Sequence, residues 1–417
     1  MRPTVAPVYD AVNVDCEINM SSDRSWMSAE DASRALRVTR TTLYAYVSRG
    51  FVRSESGSGA SRARRYSRDD VERLQRRTEG RRDPDRAAAQ TLQWGLPVLE
   101  SSITLIAGNT LFYRGHDAVH LARTRSLAAV ASLIWTGHFD PAFPAIDPRL
   151  KKRFPADDLP FVARAQAALA IASARDPRAF DLRPQAVAVS GWRILGVLAG
   201  IASGSRARAS AIEEMLAQAW GTNARSLEVL RAALILCADH ELNVSSFTAR
   251  CVASSGSSPY AVVIAGLAAI QGTRHGGLSL RVESLLRSLR RVRNVRGELA
   301  DRLRRGESID GFGHPLYRDG DPRAAALISM LGDAYPRSAE LTFALEVLDA
   351  AADLGHEQPT IDFALAVLGR VLRLPAGSPL TLFALGRTIG WIGHAIEQYA
   401  TEKIIRPRAK YVGIAPR

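Results

Sequence analysis

Six long segments rich in alanine, leucine and valine, at 125–137, 159–174, 185–203, 208–220, 225–238 and 258–272, set what this chain can fold into. Glycine, proline and serine breaks separate them. Helices of this kind bury their apolar sides against one another, and alanine lets their backbones approach closely. Period-2 alternation, the mark of a half-buried strand, is scarce after Trp94, and no internal repeat is visible. The chain is therefore expected to be all-α from Trp94 onward. At 417 residues and 47% apolar it can bury a large core and has room for two or three domains.

The N-terminal part reads differently. Residues 1–23 carry no periodic pattern and are expected to form a flexible leader, followed by a small domain over 24–78 and a linker over 79–92. Ser28-Ala29-Glu30-Asp31 opens a short helix with Ala32, Leu36 and Val38 as apolar positions. A turn at Val38-Thr39 leads to a second helix, Arg40 to Ser48, which Gly50 closes. A Ser/Gly/Arg-rich stretch, 54–65, precedes a third helix from Ser67. Residues 24–86 hold 16 arginines against 9 acids, about +7. The stretches "MSAEDASRALRVTRTTLYAYVSRGFVR" and "RRYSRDDVERL" resemble the winged helix-turn-helix of the MerR/excisionase type. That resemblance implies DNA contact by Arg40, Thr41 and Tyr44 on the second helix and by Arg62 and Arg64 on the wing. The other reading is a degenerate module kept for packing or dimer contact, and the long dimerising helix of MerR regulators is absent.

Net charge is +13 and permits polyanionic partners, nucleic acid or a phosphate-bearing ligand. Cys16, Cys237 and Cys251 show no paired spacing, which points to a reducing compartment. Residues 1–23 lack a basic start followed by an apolar core, and the longest apolar run, 261–270, is too short to span a bilayer. A soluble cytoplasmic protein with no membrane partner is expected. His116 and His120 lie four apart, but the glutamate of a zinc-protease motif and a third ligand are missing, so they read as helix-surface histidines and no metal is expected.

The chemistry concentrates in five stretches. In 311–323 glycines flank His314, Asp321-Pro322 reads as a helix start, and Arg323 falls in the first turn after it. An imidazole and a fixed cation beside a helix N-terminus suit a small carboxylate-bearing substrate with a polarisable carbonyl. The others are Cys237 to Ser246, Gly272 to Gly277, Gln358 to Phe363, and Gly386 to Trp391 with Ile405 to Arg408. Asp362 falls in a first helical turn that Thr360 can cap, which favours an ionised carboxylate, whereas dry surroundings would oppose this by raising its pKa from about 3.9. His275 precedes a helix starting near Leu278, which favours a neutral imidazole. Arg387, Trp391, His394 and Gln398 share a helix face.

Taken in order, "LFYRGHDAVHLA", "ASLIWTG", "CADHELNVSSFTARCVASSGSSPY", "RHGG", "GFGHPLYRDGDPRA", "IDFALAVL", "GRTIGWIGHAIEQ" and "IIRPRAKYVG" resemble citrate synthase over residues 93–417. The resemblance implies the citrate synthase fold, a large helical domain with a smaller one near 276–380, and an active site between them. It implies Asp362 as the general base on acetyl-CoA, His275 as the enolate-stabilising group, and His314 as the group that polarises the oxaloacetate carbonyl. His240, Asn243, Arg323 and Arg387 would hold oxaloacetate. Arg406, or Arg408 as second choice, would come from the partner subunit of a homodimer or higher homo-oligomer. Gly311 and Gly313 would border the CoA arm, with Arg318 standing in for the arginine that Pro315 displaces. No bound cofactor is implied, because the CoA thioester is a co-substrate. Two other functions remain open: a 2-methylcitrate synthase using propionyl-CoA, and a DNA-binding regulator that uses the synthase fold as a metabolite sensor. Two departures stand out: the helix-turn-helix module, and Leu278-Ser279 where the family usually continues with Ala-Asn.

Overall fold

The computed structural model describes residues 26–56, 63–72, 74, 99–140, 143–144, 159–204, 211–317, 319–355, 358–409 and 411–414. The leader expected over 1–23, the linker over 79–92, Arg62 and Arg318 lie outside the described residues. The chain forms two compact units, Met1–Glu100 and Ser101–Arg417.

In the first unit, strand β1 (Trp26–Met27) leads into α1 (Ala29–Leu36) and α2 (Arg40–Ser48). Ser28 caps α1 by accepting from the Asp31 N–H at 3.1 Å, and Thr39 caps α2 by accepting from the Thr42 N–H at 3.3 Å. Arg37, at φ 53°, ends α1 in the left-handed region and turns the chain into α2. β2 (Ser54–Ser56) and β3 (Arg64–Ser67) form the wing, in an antiparallel sheet of order β1-β3-β2. The core is small: Ala32, Leu36, Leu43, Val52, Tyr66 and Val71. Arg53 Nε donates to the buried Asp70 carboxylate at 2.7 Å and fastens the segment just before β2 to the helical segment after β3.

The second unit opens on a meander that helical periodicity alone does not anticipate. β4 (Thr104–Ala107), β5 (Thr110–Tyr113) and β6 (His116–Asp117) pair antiparallel in that order. The Gly108-Asn109 link has φ of 56° and 57°, the two-residue turn whose twist matches a hairpin. This corrects the reading of His116 and His120 as neighbours on one helix. His116 lies on β6 against Phe139, and His120 on α3 (Ala118–Thr124).

The remainder is helical, as expected: α4 (Leu127–Thr136), α5 (Phe161–Arg175), α6 (Pro184–Ser203), α7 (Ile212–Ala219), α8 (Ala224–Leu236), α9 (Val244–Ala253), α10 (Pro259–Ile270), α11 (Leu278–Leu289), α12 (Val295–Arg304), α13 (Pro322–Ala334), α14 (Ala339–Asp353), α15 (Ile361–Val371) and α16 (Ser378–Thr401). α6 is long and apolar enough to cross a membrane, yet it is mostly buried and packs against α5, α7 and α16 as a core helix. α16 is buried nearly end to end, against α6, α8, α9 and α10. Gly390 is what lets it approach the segment after α8: a Cβ there would sit 2.4 Å from both the Ala238 carbonyl and Asp239 Oδ1. In place of that clash the Gly390 N–H donates to the Ala238 carbonyl at 2.9 Å.

Candidate active site

Three hydrogen-bonded devices bring the chemical stretches together. The first is a loop pairing. Gly313 N–H donates to Gln358 O at 3.0 Å and Thr360 N–H to Gly311 O at 2.8 Å, which ties the His314 loop to the start of α15. Gly311 has φ 93°, and a Cβ there would meet Val282 at 2.9 Å, so glycine is needed. The second is Asp321. It caps α13 through Arg323 N–H at 3.0 Å and accepts the first N–H of α15, from Ile361, at 3.0 Å. Thr360 does not cap α15 with its side chain. Its hydroxyl donates to the Gly311 carbonyl, and Asp321 takes over the helix end. The third is Asn109 on the β4–β5 turn, whose amide donates to Gly320 O at 2.9 Å and fixes the loop before α13.

His240, His314 and Tyr317 form one cluster. The two imidazoles lie 5.0 Å apart, and His240 Nε2 meets the Tyr317 hydroxyl at 2.9 Å. Burial, then the Arg323 cation, hold His314 down at about 4, and burial drives His240 well below its ordinary value. Both rings are neutral at pH 7. His314 Nδ1 accepts from the Leu316 N–H at 3.2 Å, so the ring's own proton sits on Nε2, where it can be donated to a carbonyl.

His275 lies across Phe383, which also carries the Arg387 guanidinium on its face at 4.7 Å. Burial, then Arg387, hold His275 at about 4. Its Nε2 meets Ser245 Oγ at 2.8 Å, and the same oxygen receives the Trp391 indole N–H at 3.1 Å. Neither Ser245 nor Trp391 was singled out as a site residue from the sequence. The Ser245 hydroxyl also donates to Asn243 Oδ1 at 2.8 Å, so with its single proton spent there His275 Nε2–H donates to Ser245 Oγ; only when that proton turns to Nε2 does His275 carry its own on Nδ1.

Asp362 stands in the first turn of α15. Its Oδ1 is shut off from solvent and has no partner among the described residues. Burial pushes this carboxyl up to about 7, against the pull of Arg323 and Arg387. The group is thus poised between acid and carboxylate at neutral pH.

The two inner arginines differ. Arg323 is buried and locked bidentately onto Asp321, Nε at 2.9 Å and Nη2 at 2.8 Å. Arg387 is 1% exposed, spends Nε on the Cys237 carbonyl at 2.9 Å, and has no carboxylate ion pair among the described residues. A buried guanidinium with two outer nitrogens uncommitted is ready for an anion. Asn243 is occupied by the fold: Oδ1 caps α9 through Ser245 and Ser246 N–H, and Nδ2 donates to His240 O at 3.2 Å. It positions His240 and Ser245. Ser279, in the departure from the family pattern, closes its turn by donating to Gly276 O at 2.7 Å.

The structure therefore gathers His240, His275, His314, Arg323, Asp362 and Arg387, with Gly311 and Gly313 as the loop beside them. Arg406 and Arg408 lie instead on an exposed segment after α16 that is neither helix nor strand. In the first unit Arg40, Thr41 and Tyr44 are exposed on α2 and Arg64 on the wing. Among the described residues no group of three or more His, Cys, Asp or Glu could hold a metal ion.

Residues 91–408 match the family described as "Citrate synthase, C-terminal domain", and residues 27–78 the family described as "MerR HTH family regulatory protein". The chain belongs to the citrate synthase family, whose members are acyltransferases that form a carbon–carbon bond. It is 28% identical over 351 residues to citrate synthase 2 of Bacillus subtilis, covering 76% of this chain and 94% of the relative. It is 34% identical over 194 residues to 2-methylcitrate synthase of Shewanella oneidensis, covering 46% of this chain and about half, 52%, of the relative. It also superposes on citrate synthase from Thermoplasma acidophilum, solved as a ternary complex with carboxymethyl coenzyme A and oxaloacetate. The TM-score is 0.65 and identity 23%, over 77% of this chain and 95% of that one. Enzymes of this family need no bound cofactor, since the CoA thioester is a substrate.

Proposed function

We propose that the chain is a citrate synthase that condenses acetyl-CoA with oxaloacetate and water to give citrate and CoA. Asp362 removes a proton from the acetyl methyl group. With the Ser245 proton turned from Asn243 to its Nε2, His275 donates a hydrogen bond from Nδ1 to the thioester oxygen as the enolate forms. The enolate carbon attacks the oxaloacetate carbonyl, which His314 polarises through Nε2–H and protonates as the new bond forms. Water then hydrolyses the citryl thioester and releases CoA. Arg387 takes an oxaloacetate carboxylate on its two outer nitrogens, and Arg323 and His240 add to the same pocket. Arg406 completes that pocket from a partner subunit, in a cytoplasmic homodimer or higher homo-oligomer. Closure of a small lobe over 276–380 excludes water before proton removal.

The observation that carries this reading is the buried Asp362 carboxyl, held at about 7 with its Oδ1 unpartnered among the described residues, gathered with two histidines held neutral and one uncommitted buried arginine. A base near 7 and two neutral hydrogen-bond donors are what an enolisation at neutral pH requires.

The test is CoA thiol release with oxaloacetate, run in parallel with acetyl-CoA and propionyl-CoA, with His275→Ala as the blank. Faster release with acetyl-CoA supports citrate synthase, and faster release with propionyl-CoA selects the 2-methylcitrate synthase reading, which the Shewanella relative favours. The two donors differ by one methylene, worth roughly 10–200-fold in an apolar pocket. No release from folded protein contradicts both and favours a regulator that senses metabolites. The match over 27–78 and the exposed arginines of α2 and the wing support DNA binding, which a mobility shift lost in Arg40→Ala plus Arg64→Ala tests.

A further inference from the structure

The turn joining α15 to α16 borders a cavity of about 640 Å³, within the range of small-ligand sites. It is lined by four arginines, Arg287, Arg337, Arg370 and Arg373, and two acids, Glu283 and Glu340. Both acids are already engaged. Glu340 accepts from Arg370 Nε at 2.7 Å and lies 3.5 Å from Arg290 Nε. Glu283 accepts the Gly377 N–H at 3.2 Å and lies 3.6 Å from Arg287. Arg337 and Arg373 have no ion-pair partner among the described residues, so the cavity keeps a positive excess. Ser338 and Ser378, at the starts of α14 and α16, line it too, adding the positive ends of two long helices. Ser378 is 4% exposed, and its hydroxyl has no partner among the described residues.

A concave wall with two uncompensated guanidiniums and two helix N-termini, and an unbonded hydroxyl sealed just behind it, matches a ligand rich in oxyanions. None of His240, His275, His314, Asp362 or Arg387 lines it. Asp362 lies in the first turn of α15, whereas the cavity touches that helix from Ala366 onward. We propose that this cavity is a second binding site, for a small phosphate-bearing metabolite. Its floor is the turn between the helices that carry Asp362 and Arg387, so an occupant bears on both elements of the catalytic cleft. Binding there does not depend on which acyl-CoA the enzyme uses.

The experiment is calorimetric titration of the full-length protein with inorganic pyrophosphate, with CoA at saturation so that surfaces binding the CoA phosphates are filled. The expected result is one pyrophosphate per chain, with affinity roughly tenfold or more weaker in Arg337→Ala plus Arg373→Ala. Both residues are exposed, and an unchanged thermal transition verifies the fold. A control pair, Arg296→Ala plus Arg304→Ala, removes the same charge from an exposed helix elsewhere and keeps the affinity. Absence of binding to the parent overturns the proposal. So does equal affinity in the cavity variant, or an equal loss in the control pair.

Discussion

Replacing Asp362 by asparagine is expected to make the empty protein more stable, and increasingly so as pH rises. The folded chain holds the Asp362 proton up to about pH 7, against an ordinary value of 3.8. The folded state therefore binds that proton more tightly than the unfolded state. Its contribution to stability falls as pH climbs from 3.8 to 7 and is flat above. Asparagine keeps the shape and has no proton to lose, so the variant escapes that fall. At about 1.36 kcal/mol per pH unit, the gain over the parent is roughly 1.7 kcal/mol at pH 5 and about 4 kcal/mol at pH 8. Urea unfolding of substrate-free protein at those two pH values measures it, through the midpoint at constant slope. A gain of the same size at both pH values would refute the reasoning, because a packing effect does not titrate. A loss at pH 8 would show that the ionised carboxylate is stabilised in the fold, contrary to burial being the dominant influence on it.

Arg387→Lys is expected to weaken oxaloacetate binding by about 100-fold, since two charge-assisted bonds in fork geometry are replaced by a point charge. Calorimetry without acyl-CoA reads this directly, and an unchanged affinity would exclude Arg387 as the carboxylate ligand. Ser245→Ala is expected to lower kcat by roughly tenfold or more while leaving the oxaloacetate KM within about twofold, because it frees His275 to present the wrong nitrogen. A rise in KM with kcat intact would instead make Ser245 part of the oxaloacetate pocket.

Much of this was legible in the sequence because the signals were local. Asp321-Pro322 starts α13, Leu278 starts α11, and the spacing of Arg387, Trp391, His394 and Gln398 does place one buried face along α16. What the sequence did not show depends on contacts between distant segments. Periodicity credited the α15 start to Thr360, whereas Asp321, 40 residues earlier, accepts from Ile361 and holds Arg323 as well. The partnership of Ser245 with His275 and Trp391 spans 30 and 146 residues, and no local pattern announces it. The β4–β6 meander is a different kind of miss. Its strands are four residues or fewer, too short for period-2 counting, but Gly108-Asn109 between Leu-rich flanks is a hairpin signal that was present. His116 was assigned to a helix for the same reason. The amide of Asn243 also caps α9 and donates to the His240 carbonyl, a role that its position just before α9 could have suggested.

The most direct test of the central claim is oxaloacetate-dependent CoA thiol release from acetyl-CoA, at pH 8, in parent and Asp362→Asn side by side. The expected result is turnover by the parent and at least a roughly thousandfold loss in the variant, despite the variant's greater stability. Turnover by the variant close to that of the parent would remove Asp362 as the base and contradict the assignment of this cleft.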